Sequence, residues 1–364
     1  MTKLLRKIGI LTGGGDCPGL NAVIRAITKP AIQEFGMDVI GFEDGYLGLI
    51  EKKFRKLSNN DVSGILTRGG TILGTSNRAN PFRYPVLKRG KTIYEDISKM
   101  VFRNFQKMGL EGLIAIGGDG TLKIAFEFFK MGMRVVGVPK TIDNDLDQTD
   151  LTFGFDSAVS VATEAVDRLH TTAESHDRVM VLEVMGRYAG WIALYAGVAG
   201  GGDIILIPEI PFDIHRVCAK VKERVRNGKR FSIVVVAEGA FPKKGKQVVM
   251  RMVKESTDPV RLGGIGAQVA QQIEELTGLE SRFTVLGHLQ RGGPPTSFDR
   301  LLATRFGYEA LQLLLKVHFG KMVALQGNQI KAIPLSKSVG RLKRVPENHP
   351  LVRTARAMGT SFGD

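Results

Sequence analysis

The sequence predicts an α/β fold, with mainly parallel sheets covered by helices and divided between two lobes. Three observations predict it. Short apolar runs end repeatedly at glycines, as at Ile8–Thr12 before Gly13-Gly14-Gly15 and Leu113–Ile116 before Gly117-Gly118. Stretches with helical spacing separate those runs, which is how parallel strands are connected. The chain also has 364 residues, enough for a large core and two units rather than one.

The first strand is Ile8–Thr12. Beyond its glycines, Pro18 suits the first turn of a helix, which Pro30 is expected to bend or break. Asp38–Phe42 is a second strand, and residues 64–80 are rich in turn formers. A helix over 95–108 leads to strand Leu113–Ile116, and a helix over 121–131 leads to a strand over 134–138. An amphipathic helix over 156–173 precedes strand Arg178–Val184. Helices over 187–199, 213–226 and 264–277 then alternate with strands over 203–207, 231–237 and 283–286, and a helix over 297–316 closes the pattern. In the tail after about residue 330 only a short helix over 349–358 is expected. Near-continuous apolar strands of this kind are buried on both faces. Their ligands bind at the carboxyl ends of the strands.

Composition narrows the function. With 43% hydrophobic and 24% charged residues the chain is globular. A net charge of +15 favours anionic substrates. No aromatic-interleaved basic stripe accompanies that charge, which argues against nucleic acid as a partner. Two cysteines, Cys17 and Cys218, give neither a disulfide framework nor a four-ligand metal set, as in a reducing cytoplasm. The short apolar stretch after Lys3, Arg6 and Lys7 runs into glycines instead of forming a signal peptide. Residues 189–207 carry a single charge, Asp203, but glycines interrupt them. They are expected to be a buried helix and strand rather than a membrane span.

Two segments carry the chemistry. Gly117-Gly118-Asp119-Gly120-Thr121 is a loop whose glycines let backbone amides approach phosphate, with one acid able to hold Mg²⁺ directly or through water. Pro139-Lys140-Thr141-Ile142-Asp143-Asn144-Asp145 sets Thr141, Asp143 and Asp145 two apart, on one face of an extended backbone. Three acceptors directly after a buried strand suit phosphoryl transfer. Asp143 is placed to receive a proton from an alcohol, and Asp145 to help position the metal. Alone, Gly117–Thr121 fits lipid and NAD kinases equally well.

Gly13-Gly14-Gly15-Asp16 offers a second set of amides for an anion. No P-loop is present, and Gly264-Ile265-Gly266 lacks the third glycine of a dinucleotide fingerprint and reads as a helix start. Met185-Gly186-Arg187, Glu238-Gly239 and Gly287-His288-Leu289-Gln290-Arg291-Gly292-Gly293 each end a later strand. Arg178, Arg187, Arg282 and Arg291 lie at or beside strand edges. A cluster of such guanidinium groups binds a phosphate monoester through forked hydrogen bonds.

Taken in order, Leu11–Asp16, Gly117–Thr121, Pro139–Asp145, Val184–Arg187 and Gly287–Gly293 resemble the 6-phosphofructokinase family over about residues 6–320. The resemblance implies two Rossmann-like lobes with the active site in the cleft between them. Residues 1–150 would form the donor lobe, with 302–364 packing back on it, and 151–301 the sugar-phosphate lobe. The implied reaction moves a phosphoryl group to the 1-hydroxyl of fructose 6-phosphate in the cytoplasm, with Asp143 as base, Thr141 and Arg187 at the transferring group, and Mg²⁺ on Asp119 and Asp145. Gly14, Arg78, Gly118, Gly120, Thr121 and Lys140 match donor-binding positions. Met185, Gly186, Glu238, His288 and Arg291 match sugar-phosphate contacts. Arg178 and Arg282 match arginines that reach a neighbouring subunit's site, implying a homo-oligomer, most simply a tetramer.

Family members use ATP or pyrophosphate. Pyrophosphate users commonly carry Asp where this chain has Gly120, and Lys where it has Lys140. Gly120 leaves room for the α-phosphate of ATP, and exclusion is the stronger filter, so ATP is the expected donor and pyrophosphate the alternative. Ile124 pulls the other way, because adenosine-binding bacterial enzymes often have Gly there. At the family's effector position Arg25 is matched, but His170 and Asp203 replace an arginine and a glutamate, so weak or altered nucleotide regulation is expected.

Overall fold

The apolar runs form the central strands of two sheets in the computed structural model, which describes residues 5–88, 90–252 and 260–364. The chain opens with β1 (Lys7–Thr12), α1 (Leu20–Gln33), β2 (Asp38–Phe42), α2 (Tyr46–Glu51) and β3 (Phe54–Leu57). An antiparallel pair, β4 (Tyr84–Lys88) and β5 (Lys91–Glu95), precedes α3 (Ser98–Lys107), β6 (Gly112–Gly117), α4 (Asp119–Lys130) and β7 (Val135–Pro139). Then come α5 (Phe155–His176), β8 (Val179–Val184), α6 (Trp191–Ala199), β9 (Ile204–Leu206), α7 (Ile214–Arg226) and β10 (Ser232–Ala237). After the β11 (Val249–Met252) and β12 (Val260–Leu262) pair follow α8 (Ile265–Thr277), β13 (Ser281–Val285), a 3₁₀ turn at Gly287–Arg291 and α9 (Ser297–Leu315). The tail contributes β14 (Lys321–Gln326), β15 (Gln329–Pro334), α10 (Leu335–Ser338) and α11 (Pro350–Ala357).

The first sheet has the order β15-β14-β7-β6-β1-β2-β3. Its five inner strands are parallel, and β3 and β15 are antiparallel edges. The second, β13-β8-β10-β9, is wholly parallel. Strand β1 lies between β2 and β6, so the chain leaves it in one direction and later returns on the other side. A crevice opens at such a switch point, beyond the carboxyl ends of the strands. The loops 13–16 and 117–121 stand there.

One buried cluster joins the sheets, running from Ile8, Ile10 and Ile114 through Phe153 and Phe306 to Leu182 and Val235. Helix α1 packs along α9 within it. Asp299 of α9 is fully buried and accepts from both the backbone N–H (2.8 Å) and the hydroxyl (2.6 Å) of Ser157 in α5. Burial raises its pKa to about 6 despite those bonds.

Three expectations need correction. Pro30 neither ends nor breaks α1, which runs to Gln33. Proline costs a helix interior about 3 kcal/mol, but Ile24, Ile27 and Ala31 on the same helix are buried, and burial of apolar side chains of this size offsets it. The predicted helix over 187–199 starts only at Trp191, because residues 185–190 form a loop at the end of β8. The tail is also more ordered than its composition suggests: β14 and β15 extend the first sheet, and α10 and α11 follow. Among the described residues no helix is long and apolar enough to cross a membrane. Residues 189–207 are instead α6 and β9 with their connecting glycines.

Candidate active site

The glycine loop after β1 is held open by backbone. Gly14 has φ +82°, its N–H donates to Ser76 O (3.1 Å), and its carbonyl accepts from Thr75 Oγ1 (2.6 Å). A Cβ on Gly13 would come within 2.6 Å of Thr121 Oγ1. The loop 13–15 is thus packed against the buried Thr121 of the second segment, whose carbonyl accepts from Tyr46 Oη (3.0 Å). Asp119 stands in the first turn of α4, where no side chain caps the helix. The N–H groups of that turn and a helix of this length favour an anion. Gly120 and Arg78 are exposed at the rim.

Strand β7 delivers the next segment. Lys140 N–H donates to Gly117 O (3.0 Å), and the buried Nζ donates to Gly15 O. Burial pushes the Lys140 pKa down, and Arg291 adds to the effect. Thr141 Oγ1 accepts from Asp143 N (3.1 Å). Asn144 adopts φ +50° and its Oδ1 accepts from Thr152 N (3.1 Å). This left-handed residue turns the chain between the two aspartates; Asn tolerates that region better than most residues.

Asp143 Oδ1 is sealed from solvent and makes no hydrogen bond among the described residues. Burial raises the Asp143 pKa, and Arg291, Arg187 and Lys140 pull against it without prevailing. Asp145 is raised to about 7 by burial and then by the charge of Asp143, with Asp119 contributing.

The second sheet supplies the facing wall. Met185 N donates to Gln290 Oε1 (2.9 Å), Glu238 N to Val184 O (2.8 Å), and Gly239 N to Gly186 O (3.0 Å). Gly186 has φ +141°. Burial raises Glu238 to about 7, and the charge of Asp143 adds to it while Arg187 and Arg291 oppose it. Arg291 crosses the cleft and donates from Nη1 to Asp16 O (3.0 Å). Asp143, Arg187, Glu238 and Arg291 therefore share one electrostatic environment, with two acids and two guanidinium groups at the carboxyl ends of strands from both sheets.

Residues 7–314 match the family model described as phosphofructokinase. The chain belongs to this family. A relative from Clostridium perfringens named ATP-dependent 6-phosphofructokinase 2 is 54% identical over 366 residues, covering 100% of both chains. A Streptomyces coelicolor relative named pyrophosphate–fructose 6-phosphate 1-phosphotransferase is 53% identical over 340 residues, covering 93% of this chain and 96% of its own. The solved T-state phosphofructokinase of Pichia pastoris aligns with a TM-score of 0.79 at 34% identity, over 92% of this chain and 35% of that one. This chain thus spans about a third of the Pichia chain.

Within this phosphofructokinase fold, not every residue singled out from sequence converges. Arg178 pairs with Glu280 (2.8 Å), and the half-exposed Arg282 pairs with Glu280 and Glu274. Neither is among the charges acting on Asp143. His288 is exposed on the 3₁₀ turn. His170 Nε2 lies 2.7 Å from Gly200 O, and Asp203 pairs with Arg224 (2.6 Å) and accepts from Ile233 N (2.9 Å). Cys17 is buried, and its pKa is pushed up to about 12, which leaves an inert thiol.

Sequence reasoning missed Gln290, which sits inside a recognised segment and ties the 3₁₀ turn to Met185. It also missed the tail. Gly340 N donates to Asp119 Oδ1 (2.6 Å), and Lys343 N to Asp145 O (2.8 Å). No periodic signal marks those residues.

Proposed function

We propose that this phosphofructokinase family member is an ATP-dependent 6-phosphofructokinase. It transfers the γ-phosphoryl group of ATP to the 1-hydroxyl of fructose 6-phosphate and forms fructose 1,6-bisphosphate. The observation that carries this reading is the meeting of Asp143, Arg187, Glu238 and Arg291 in one cleft, with the sealed Oδ1 of Asp143 making no hydrogen bond among the described residues. The hydroxyl proton passes to the Asp143 carboxylate as its oxygen bonds to phosphorus. The bond from phosphorus to the bridging oxygen breaks, and ADP departs with that electron pair. Thr141 and Arg187 flank the transferring group. Met185, Gly186, Glu238, His288 and Arg291 hold the sugar phosphate. The amides of Gly14, Gly118, Gly120 and Thr121, with Arg78, hold the donor in a lobe formed by residues 1–150 and the returning elements α9, β14, β15 and α10, facing a sugar-phosphate lobe of 151–301. The expected return of all of 302–364 to the donor lobe needs correction, because Ser361 O accepts from Ile205 N (2.9 Å) and Gly363 O from Asp213 N (2.7 Å), which ties the chain's last residues to the second sheet.

Asp119 and Asp145 suit Mg²⁺. Both offer hard oxygen donors, and they lie close enough for the charge of Asp119 to contribute to the raised Asp145 pKa. No group of three His, Cys, Asp or Glu among the described residues forms a full cage. Mg²⁺ commonly keeps water and phosphate oxygens in its shell and is held by one or two carboxylates. Bound there, Mg²⁺ would neutralise charge on the donor phosphates.

Overall identity does not decide the donor, since the ATP-named and pyrophosphate-named relatives stand at 54% and 53%. Two local features favour ATP. Gly120 is exposed and without a side chain, and the Lys140 ammonium is bound to Gly15 O, where it shapes the loop. The positions of Arg178 and Arg282, paired on the surface instead of facing Asp143, fit a homotetramer in which each reaches a neighbour's site. Exposed Phe283 and Val285 on the edge strand β13 fit the same reading. The internal partners of His170 and Asp203 fit weak or altered nucleotide regulation.

Steady-state rates with fructose 6-phosphate and either ATP or pyrophosphate test the donor. A higher kcat/KM is expected with ATP; a higher value with pyrophosphate would select the alternative reaction, fructose 6-phosphate 1-phosphotransfer from pyrophosphate.

A further inference from the structure

We infer that Lys343, near the far end of the chain, is a positioning residue for the catalytic loop and fixes where the Asp143 carboxylate points. The inference rests on the reading of Asp143 as the base. Lys343 Nζ donates to Asn144 Oδ1 (3.0 Å), Thr149 O (2.8 Å) and Asp150 O (2.8 Å). An ammonium has three donors, and all three go to one loop, the loop that carries Asp143 and Asp145. Asn144 is the left-handed residue between those aspartates. A grip on its side-chain oxygen therefore restrains the turn that sets both carboxylates.

The neighbours of Lys343 work on the same loop. Its own N–H donates to Asp145 O (2.8 Å), Leu342 bridges to Leu146, and Ser338 Oγ donates to Asp147 O (3.0 Å). Two residues before Leu342, Gly340 N reaches Asp119 Oδ1. On its other side the segment 338–345 is anchored to α6 and to the loop after β9. Trp191 Nε1 donates to Lys343 O (2.8 Å), and its ring lies 5.6 Å from the ammonium. Glu209 accepts from both Val345 N (2.8 Å) and Gly190 N (3.0 Å). The segment 338–345 is thus continuously bonded to Asp119, to the loop 144–150 and to the wall that begins at Met185.

A residue serving only stability would lower the melting temperature and leave the chemistry of the folded enzyme alone. A positioning residue acts on kcat. Misplacement of a reacting group by about 1 Å costs on the order of 10²-fold. In Lys343→Met, kcat is therefore expected to fall about 10- to 100-fold, while KM for both substrates stays within about threefold for an enzyme whose binding residues are untouched. Because Lys343 acts through Asn144, Asn144→Gly should add little to that loss, and the double variant should lie close to the worse single one.

A folded Lys343→Met enzyme with normal kcat, or additive losses in the double variant, would overturn the inference. If Lys343→Met does not fold, Trp191→Phe removes the indole N–H and keeps a ring at the ammonium. Its kcat should fall with KM unchanged, and an unaltered kcat would again overturn the inference. Absence of fructose 6-phosphate turnover in the wild type would instead overturn the underlying reading of the site.

Discussion

At the scale of single residues, competition between burial and charge defines Asp143. Three cations act on it, yet burial still raises its pKa, and its sealed oxygen makes no hydrogen bond among the described residues. A carboxylate so placed accepts a proton readily when an alcohol enters. Replacing it removes an interaction made only as the hydroxyl reacts, so Asp143→Ser should lower kcat by about 10²–10⁴-fold, the range of general-base catalysis. KM for fructose 6-phosphate should change little. Pre-steady-state and steady-state rates check this, and near-normal turnover would remove Asp143 from the role. The place of this segment at a strand end was legible in the sequence because Thr141, Asp143 and Asp145 directly follow an apolar strand. The orientation of Lys140 was not: its ammonium turns inward to Gly15 O, which only the three-dimensional path of the first glycine loop determines.

At the scale of elements, the loops at the strand ends are set by close backbone approach. Gly239 follows β10, and a Cβ there would fall inside contact distance of the Arg187 carbonyl and press on Gly186 O. Gly239→Ala must therefore push the Met185–Arg187 loop aside. Overpacking of this kind costs about 1–3 kcal/mol, and the loop that moves carries proposed sugar-phosphate contacts. KM for fructose 6-phosphate is expected to rise several-fold more than KM for ATP, measured alongside a denaturation midpoint shifted down. Equal changes in both KM values would count against that assignment. The inner strands were readable because parallel strands buried on both faces are continuous apolar runs. Strands β14 and β15 were missed, although the apolar run 321–326 and the two-residue turn Gly327-Asn328 that pairs Gln326 with Gln329 are hairpin signals. By contrast β5 is largely exposed and the half-buried β4 carries Pro85, so neither burial nor alternation announces them.

At the scale of the whole molecule, each half of the site comes from strands of a different sheet, and Arg291 spans them to reach Asp16 O. Arg178 and Arg282 stand apart from that cleft. If they complete a neighbour's site, an Asp143→Ser chain and an Arg282→Ala chain each lack something the other has. Mixed oligomers reassembled from the two inactive variants should then regain activity. An inert mixture whose hybrids are verified by native mass spectrometry would count against a shared site. The fold class was recoverable from sequence because glycine turns and helix spacing recur along most of the chain. The strap over residues 338–345 was not, because its role depends on contacts with residues about 200 positions earlier. The placement of β14 has its own consequence for biosynthesis. Its partner β7 is complete at Pro139, but β14 ends at Gln326. On the ribosome, that side of the first sheet remains an open edge while nearly two hundred further residues are added, so the nascent chain must keep β7 from pairing with other strands until residues 321–326 have emerged.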